Sequence, residues 1–332
     1  MSQIALVTGG AGFIGSHVSH ELIMNGYDVV ILDDLSGGFV ENVPEGAVLV
    51  EGSILDRNLI TRLFDQYKFD YIFHLAAYAA EGLSHFIKHF NYQNNLIGSV
   101  NLINAAINYD IKCFIFTSSI AVYGKGQLPM SEDMAPAPED SYGIAKYAFE
   151  MELRSSHSLF GLNHVIFRPH NVYGEHQNIG DRYRNVIGIF MNQIMQGQPM
   201  TIFGDGLQTR AFSYISDVAP IIARSIENPN SYNQVFNVGA DTPYTVNYLA
   251  ETVAKAMGVQ PDVIHLDSRN EVQHAFSSHD KIRNVFENIE PVPLEIGIQR
   301  MATWARRVGA RQSKTFQEIE IGRNLPPSWI NK

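Results

Sequence analysis

Tyr142 and Lys146 stand four residues apart at the start of an amphipathic stretch running to Leu159, so in a helix both side chains leave one face. A phenol with its ordinary pKa of about 10 is a poor base at neutral pH. A neighbouring ammonium favours the phenolate, and a cationic ring bound alongside favours it further. Such a pair can take the proton of an alcohol as the carbinol carbon is oxidised. The same spacing also occurs on solvated amphipathic faces, which is the plainer explanation of the pair taken alone. Ser118-Ser119 closes an apolar run and offers a hydroxyl to hold the reacting oxygen, or else serves as an ordinary strand-end turn.

Oxidation needs an acceptor, and a second constellation suits one. Thr8-Gly9-Gly10-Ala11-Gly12-Phe13-Ile14-Gly15 lies between an apolar run and a helix pattern. Glycines at 9, 12 and 15 permit a tight turn, close approach of a pyrophosphate and close helix–strand packing, and the helix N-terminus stabilises phosphate charge. Asp33 closes the next apolar run about 20 residues on, where a carboxylate accepts hydrogen bonds from ribose hydroxyls and repels a 2′-phosphate. NAD is therefore expected rather than NADP, unless Asp33 or Asp34 only caps a turn.

The elements that would position these groups alternate. Strands are expected at Ile4–Thr8, Asp28–Leu32, Ala47–Glu51, Tyr71–Leu75, Cys113–Ser118 and Val165–Arg168, with helix patterns between them. The fold class that follows is α/β: a Rossmann-type doubly wound parallel sheet whose ligands lie beyond the carboxyl ends of its strands. Further on, Met200–Phe203, a Gly204-Asp205-Gly206 turn and a run through Arg210 read as a hairpin. Val235–Val238 returns to the main sheet. Helices follow at Thr245–Met257, capped by Thr245, and at Pro293–Arg307. These segments imply a smaller, discontinuous α/β substrate domain. Residues 1–172 plus about 212–240 would bind the dinucleotide. Residues 173–211 plus about 241–314 would bind substrate, leaving 315–332 as a tail without clear period.

A net charge of −10 argues against a nucleic-acid partner. No apolar run approaches the roughly 20 residues of a membrane span, and no leader pattern precedes the first strand, so a cytoplasmic enzyme is expected. Cys113, the lone cysteine, sits in an apolar run and reads as a buried thiol. The twelve histidines show no spacing that suggests a metal site.

Together these motifs resemble the extended short-chain dehydrogenase/reductase superfamily, in its NAD-dependent sugar-nucleotide epimerase/dehydratase branch, and most nearly the UDP-glucose 4-epimerases. The resemblance runs from Val7 through Arg210 and, less closely, to about residue 305. It implies that the first turn, with Phe13 and Ile14, holds the dinucleotide, and that Asp33-Asp34-Leu35-Ser36-Gly37 meets ribose and phosphate. Ser53 and Ile54 match an adenine contact, although Ser53 replaces the usual Asp. Leu75-Ala76-Ala77-Tyr78 resembles the strand end lining the cofactor, and Asn95 an asparagine supporting its nicotinamide half. Thr117 through Gly124 is similar to the segment that places the catalytic hydroxyl at Ser119, beside Ile120. Pro169 and His170 belong to a segment closing over nicotinamide, and Asn171 is implied as a pyrophosphate contact. Asn185, Val186, Thr201, Phe203, Arg210 and Arg269 are implied substrate contacts, Arg210 neutralising phosphate.

The departures bear on reaction type. Dehydratases of this branch carry Asp-Glu directly after the catalytic hydroxyl, and the decarboxylases a Glu one residue later; Ile120 and Ala121 here can move no proton. The expected function is thus epimerisation of a nucleotide-diphosphate sugar, a UDP-hexose at C4, through a transient 4-keto sugar. A dehydratase or a 3- or 5-epimerase using Glu81 is the alternative, and a non-catalytic cofactor sensor a distant one. Glu81 also reads as a solvent-facing loop carboxylate. Arg182 and Arg184 suit either a phosphate or uronate carboxylate or a solvated charge cluster. Ala275 falls near a position where a bulkier residue excludes 2-acetamido sugars. By resemblance, the helices near 95–110 and 142–160 would form a homodimer interface.

Overall fold

The computed structural model describes residues 2–126, 128–268, 272–286, 290–312 and 316–329; the expected contact Arg269 lies outside them. Seven strands build the central sheet: β1 (Ile4–Thr8), β2 (Asp28–Asp33), β3 (Val48–Glu51), β4 (Tyr71–His74), β5 (Cys113–Thr117), β6 (His164–Pro169) and a later strand, Gln234–Val238. Every adjacent pair is parallel, in the order β3-β2-β1-β4-β5-β6 with Gln234–Val238 at the far edge. The strands are apolar runs, not alternations, because helices cover both faces of the sheet. The chain reverses direction across the sheet between β1 and β4, which opens a crevice at their carboxyl ends.

On one face lie α1 (Phe13–Met24) and, later in the chain, Ala219–Arg224. On the other lie α2 (Arg57–Tyr67), then α3 (Glu81–Ser84) and α4 (Lys88–Tyr92) leading into α5 (Gly98–Asn108), and α6 (Ser141–Phe160). Phe114, Phe116 and Ile166 from the sheet pack against Leu102 of α5 and Phe149 and Leu153 of α6. Helix α6 starts where Asp140 accepts a hydrogen bond from the Gly143 amide at 2.8 Å, and it stops at Gly161 in the left-handed region. Between α4 and α5, Gln93–Ile97 forms one π-helical turn, a distortion common near functional sites.

Beyond β6 come β7 (Val172–Tyr173), α7 (Val186–Met195), β8 (Met200–Phe203), β9 (Thr209–Ala211) and β10 (Ser213–Tyr214). Helix α8 is the Ala219–Arg224 segment and β11 the seventh strand of the main sheet. Then follow β12 (Pro243–Thr245), α9 (Val246–Met257), β13 (Val263–Leu266), β14 (His274–Ala275), α10 (Asp280–Val285) and α11 (Leu294–Val308). The expected hairpin does not form. Strand β8 pairs in parallel with β13, whereas β9 pairs with β12 and β14. Gly204 and Gly206, both at positive φ, turn the chain out of one small sheet and into another. A two-glycine turn signals a reversal, but not which strand takes the free edge. The return of β11 to the main sheet and the Thr245 cap on α9 are as expected.

Several histidines are buried in this frame. His74, on β4, lies between hydroxyls: its Nδ1 is 2.7 Å from Thr8 Oγ1 and its Nε2 2.7 Å from Ser99 Oγ. Ser99 in turn donates to the Asn95 carbonyl, so it accepts from His74, and the ring is neutral. Burial holds His74 well below the usual histidine range, His164 at about 4 and His170 at about 3. Unfolded histidines titrate near 6.5, so between that pH and the folded values the unfolded chain binds more protons. Stability from this source is present above pH 6.5 and lost on acidification. Urea unfolding of the cofactor-free protein should lose on the order of 1–2 kcal/mol per buried ring between pH 6.5 and 5, and His164→Leu should flatten that slope by one ring's share; an unchanged slope would contradict it.

Candidate active site

The carboxyl ends of the strands open into a cleft of about 640 Å³. Its floor is the turn between β1 and α1. Gly9 holds φ at +72°, and a side chain there would put its Cβ 2.7 Å from the Ala76 amide nitrogen; one at Gly15 would run into the Gly9 carbonyl. Gly12 faces the cleft with only the Gly9 carbonyl nearby. Turn and strand therefore meet as closely as backbone allows, leaving the start of α1 open to a phosphate. Phe13, Ile14, Asp33, Asp34, Ser36, Gly37, Ile54 and the run Leu75-Ala76-Ala77-Tyr78 line the same end of the cleft. These residues fit a dinucleotide.

Asp33 caps its turn and also faces the cleft. Its carboxylate accepts from the amides of Ala11 (3.0 Å) and Leu35 (2.9 Å), tying the glycine turn to the end of β2, and it also borders the cleft. Three expected cofactor contacts stand behind the lining instead of in it. Leu35 takes a left-handed backbone, and Ser53 Oγ accepts from the Leu55 amide within a turn. Asn95, on the π-helical turn and 1% exposed, accepts from the Tyr78 amide at 2.8 Å and donates to the Tyr78 carbonyl at 3.1 Å. It thus fixes the strand extension that lines the cleft.

Tyr142 and Lys146 are buried, 5% and 2% exposed, which rules out the solvated-face explanation. Lys146 Nζ donates to the Thr117 carbonyl at 2.8 Å and lies 4.7 Å from the centroid of the Phe116 ring and 5.8 Å from that of Tyr142. The two serines divide. Both line the cleft, but Ser118 Oγ donates to the buried Glu150 at 2.6 Å, whereas Ser119 accepts from the Ala121 amide and hydrogen-bonds Tyr142. Burial pushes the Tyr142 phenol up, helped by the Glu81 carboxylate, while Ser119 and Arg184 pull it down. Burial lowers Lys146 to about 7, opposed by Glu150. The protein alone thus favours the neutral tyrosine.

Glu150 carries a consequence the sequence reading missed. It is fully buried on α6, one turn beyond Lys146, and holds Arg168 of β6 through Nε at 2.9 Å and a second nitrogen at 2.5 Å. Arg168 packs 4.7 Å over the Tyr123 ring, and Tyr123 donates to Asn237 of β11. The available signal was a carboxylate at i+4 from Lys146 and i+8 from Tyr142, flanked by the core residues Phe149 and Leu153.

The expected cofactor contacts Thr117, Pro169 and His170 and the expected substrate contacts Ser119, Ile120, Asn171, Asn185, Val186, Thr201, Phe203 and Arg210 all line the same cleft. Ile120 packs with Val122, Tyr123, Met130 and Ala275. His170 Nδ1 and Asn171 Nδ2 both donate to the Ala211 carbonyl at 3.1 Å. On its other side His170 Nε2 lies 3.1 Å from His279 Nε2, and His279 Nδ1 is 2.6 Å from Asp241. Arg210 donates to the carbonyls of Thr209 (2.8 Å), Gln273 (3.0 Å) and Val272, so β9 and the 272–273 segment aim its charge. Arg184 pairs with Asp181 at 2.6 Å and stacks 4.8 Å over the Tyr78 ring, and Glu81 also borders the cleft. Arg184 is thus more than a solvated charge, whereas Glu81 borders the cleft from an exposed position at the start of α3. Among the described residues no group of His, Cys, Asp or Glu could hold a metal ion, and no helix is long and apolar enough to cross a membrane.

Comparison with known proteins agrees with this geometry. The profile of the NAD dependent epimerase/dehydratase family matches residues 5–239. A UDP-glucose 4-epimerase from Thermotoga maritima, solved with UDP-glucose, is 35% identical with a TM-score of 0.87, covering 92% of this chain and 99% of that one. A UDP-N-acetylglucosamine 4-epimerase from Methanobrevibacter ruminantium is 32% identical with a TM-score of 0.83, covering 91% and 98%. A UDP-N-acetyl-alpha-D-glucosaminuronate decarboxylase from Bacillus cytotoxicus is 30% identical over 93% of this chain and 99% of its own. With a glycine turn fitted to a dinucleotide and a buried tyrosine–lysine pair above it, the chain belongs to the NAD dependent epimerase/dehydratase family, and its cofactor is NAD.

Proposed function

We propose that this protein inverts C4 of a UDP-hexose, interconverting UDP-glucose and UDP-galactose through a transient 4-keto sugar. The observation that carries this reading is the buried Ser119–Tyr142–Lys146 cluster with Ile120 and Ala121 beside it, groups that can move no proton. NAD, when bound, takes up and returns the hydride and brings a cationic ring to the cleft. Tyr142 takes the proton of the C4 hydroxyl and later returns one, Ser119 orients that oxygen, and Lys146 holds its charge beside the phenol and the nicotinamide ribose. Burial alone opposes this phenolate–ammonium pair, so the bound cofactor's positive charge is what favours it. Gly9, Gly12 and Gly15 would admit the pyrophosphate, Asp33 the adenosine ribose, and Pro169 and His170 would back the nicotinamide. Arg210, with Asn171, Asn185, Val186, Thr201 and Phe203, would anchor the nucleotide diphosphate while the keto sugar turns.

The proposed division is a dinucleotide domain of 1–172 plus about 212–240 and a sugar-nucleotide domain of 173–211 plus 241–314, in a homodimer joined through α5 and α6. Ile144 and Met151 of α6 support the latter, being large apolar residues 41% and 54% exposed. Glu81 favours a second reading, since its carboxylate acts on Tyr142 and would serve a 3- or 5-epimerase or a dehydratase as an added base.

Incubation with UDP-glucose, UDP-galactose and UDP-glucuronate, followed by NMR of the products, separates these. Inversion at C4 alone is expected, with Tyr142→Phe slower by about 10²–10⁴; release of water or CO₂ would exclude the 4-epimerase. Lys146→Met should abolish turnover yet stabilise the cofactor-free fold. With a folded pKa of about 7 against 10.5 unfolded, the lysine's burial penalty is complete below pH 7 and vanishes as pH rises towards 10.5. Urea unfolding at pH 6 should show a gain on the order of 3 kcal/mol that shrinks in that window; a loss of stability at pH 6 would contradict it. Sedimentation should give twice 37.1 kDa, and Met151→Glu should give the monomer.

A further inference from the structure

The segment 316–329 crosses back over α3 and α4. The Glu320 carboxylate accepts from the amides of His89 and Phe90, each at 2.8 Å, and the amides of Glu320 and Ile321 donate to the Phe86 carbonyl. Phe316 stands edge-on to Phe90, centroids 4.8 Å apart, and 5.4 Å from Tyr78. Trp329 is only 6% exposed. Its ring meets Tyr183 edge-on at 5.4 Å and Phe86 at 6.1 Å. It also covers Gly82 so closely that a Cβ there would lie 3.2 Å from the indole.

Most of these aromatic contacts border the cleft. Tyr78, Gly82, Phe90, Tyr183 and Trp329 itself all line it, and Glu81, next to Gly82, is the carboxylate that acts on the Tyr142 phenol. The segment is fixed by a charged cap and four aromatic contacts, and what it delivers is one indole into the wall of the cleft, beside Gly82 and next to Glu81. The family profile stops at residue 239, far short of this segment.

We propose that this C-terminal strap is the specificity-determining wall of the sugar end of the cleft, and that Trp329 limits the bulk a sugar ring can carry there. The inference deepens the sugar-nucleotide reading and rests on it. A rigid aromatic wall discriminates by exclusion: a substituent that overlaps the indole must displace a ring held on three sides, whereas the nucleotide, anchored elsewhere, is indifferent to it. Removing the indole therefore changes the relative affinity for large and small sugars without changing that for the nucleotide.

The test is calorimetric, on the full-length NAD-loaded protein, and needs no turnover. Dissociation constants for UDP, UDP-glucose and UDP-N-acetylglucosamine are measured for the wild type, Trp329→Ala, Trp329→Phe and Glu320→Gln. Trp329→Ala should shift the ratio of the two sugar nucleotides at least tenfold towards the larger, with UDP within twofold of wild type. Trp329→Phe should restore most of the discrimination, and Glu320→Gln should shift the ratio in the same direction by less. An unchanged ratio, or equal weakening of UDP and both sugars, overturns the proposal. Wild-type binding without epimerisation would instead refute the reaction assigned above, and binding of none of the three would refute both. As a check independent of Trp329 replacement, Trp304→Phe leaves Trp329 the lone indole of the chain. Its emission should respond to UDP-glucose and not to UDP, and equal responses to both count against the wall.

Discussion

A charged pair shut away from water, Glu150 with Arg168, fixes the helix on which the chemistry depends. Helix α6 must present Tyr142 and Lys146 at the carboxyl ends of β5 and β6, and Glu150 on the same face bridges to Arg168 of β6 and to Ser118 at the end of β5. Breaking such a pair leaves an uncompensated charge in the core, a penalty of about 3–5 kcal/mol, so the register of helix on sheet is strongly specified. Glu150 also sets a negative charge one helical turn from Lys146, which opposes the loss of the lysine's proton.

The remainder of the site follows from burial. Tyr142 and Lys146 lie where water cannot solvate either charge, so the protein by itself holds the phenol protonated. That arrangement suits an oxidation that should begin only when an acceptor is in place. In the proposed reaction the neutral tyrosine would become a competent base once a cationic ring is bound beside it. Glu81 and Arg184 act on the same phenol with opposite signs.

Much of this was legible in the sequence, because the informative residues lie in local patterns. The glycine turn, Asp33, the strands β1 to β6 and the spacing of Tyr142 and Lys146 are read from neighbours a few residues apart, and the structure brings them to one cleft. What escaped depends on distant pairing. The turn at Gly204–Gly206 looked like a hairpin because nothing nearby reveals that β13 supplies the partner of β8. Leu35, Ser53 and Asn95 shape the lining from behind it, and a motif match cannot distinguish a residue that touches a ligand from one that holds the residue that does. The tail has no period because its described residues form only one short 3-10 turn, at Pro327–Trp329. Its order comes from Phe86, Phe90 and Tyr183, between roughly 150 and 240 residues away in the chain, contacts outside the reach of any pattern-based expectation.

The account rests on where one phenol oxygen lies relative to the cofactor. A crystal structure of the protein with NAD and a UDP-hexose measures this directly. The account predicts Tyr142 Oη within about 3 Å of the sugar's C4 oxygen, with Ser119 on the same oxygen and Lys146 Nζ on the nicotinamide ribose. A complex in which the nicotinamide ring lies at the other end of the cleft, or in which a different side chain meets the C4 oxygen, would contradict it.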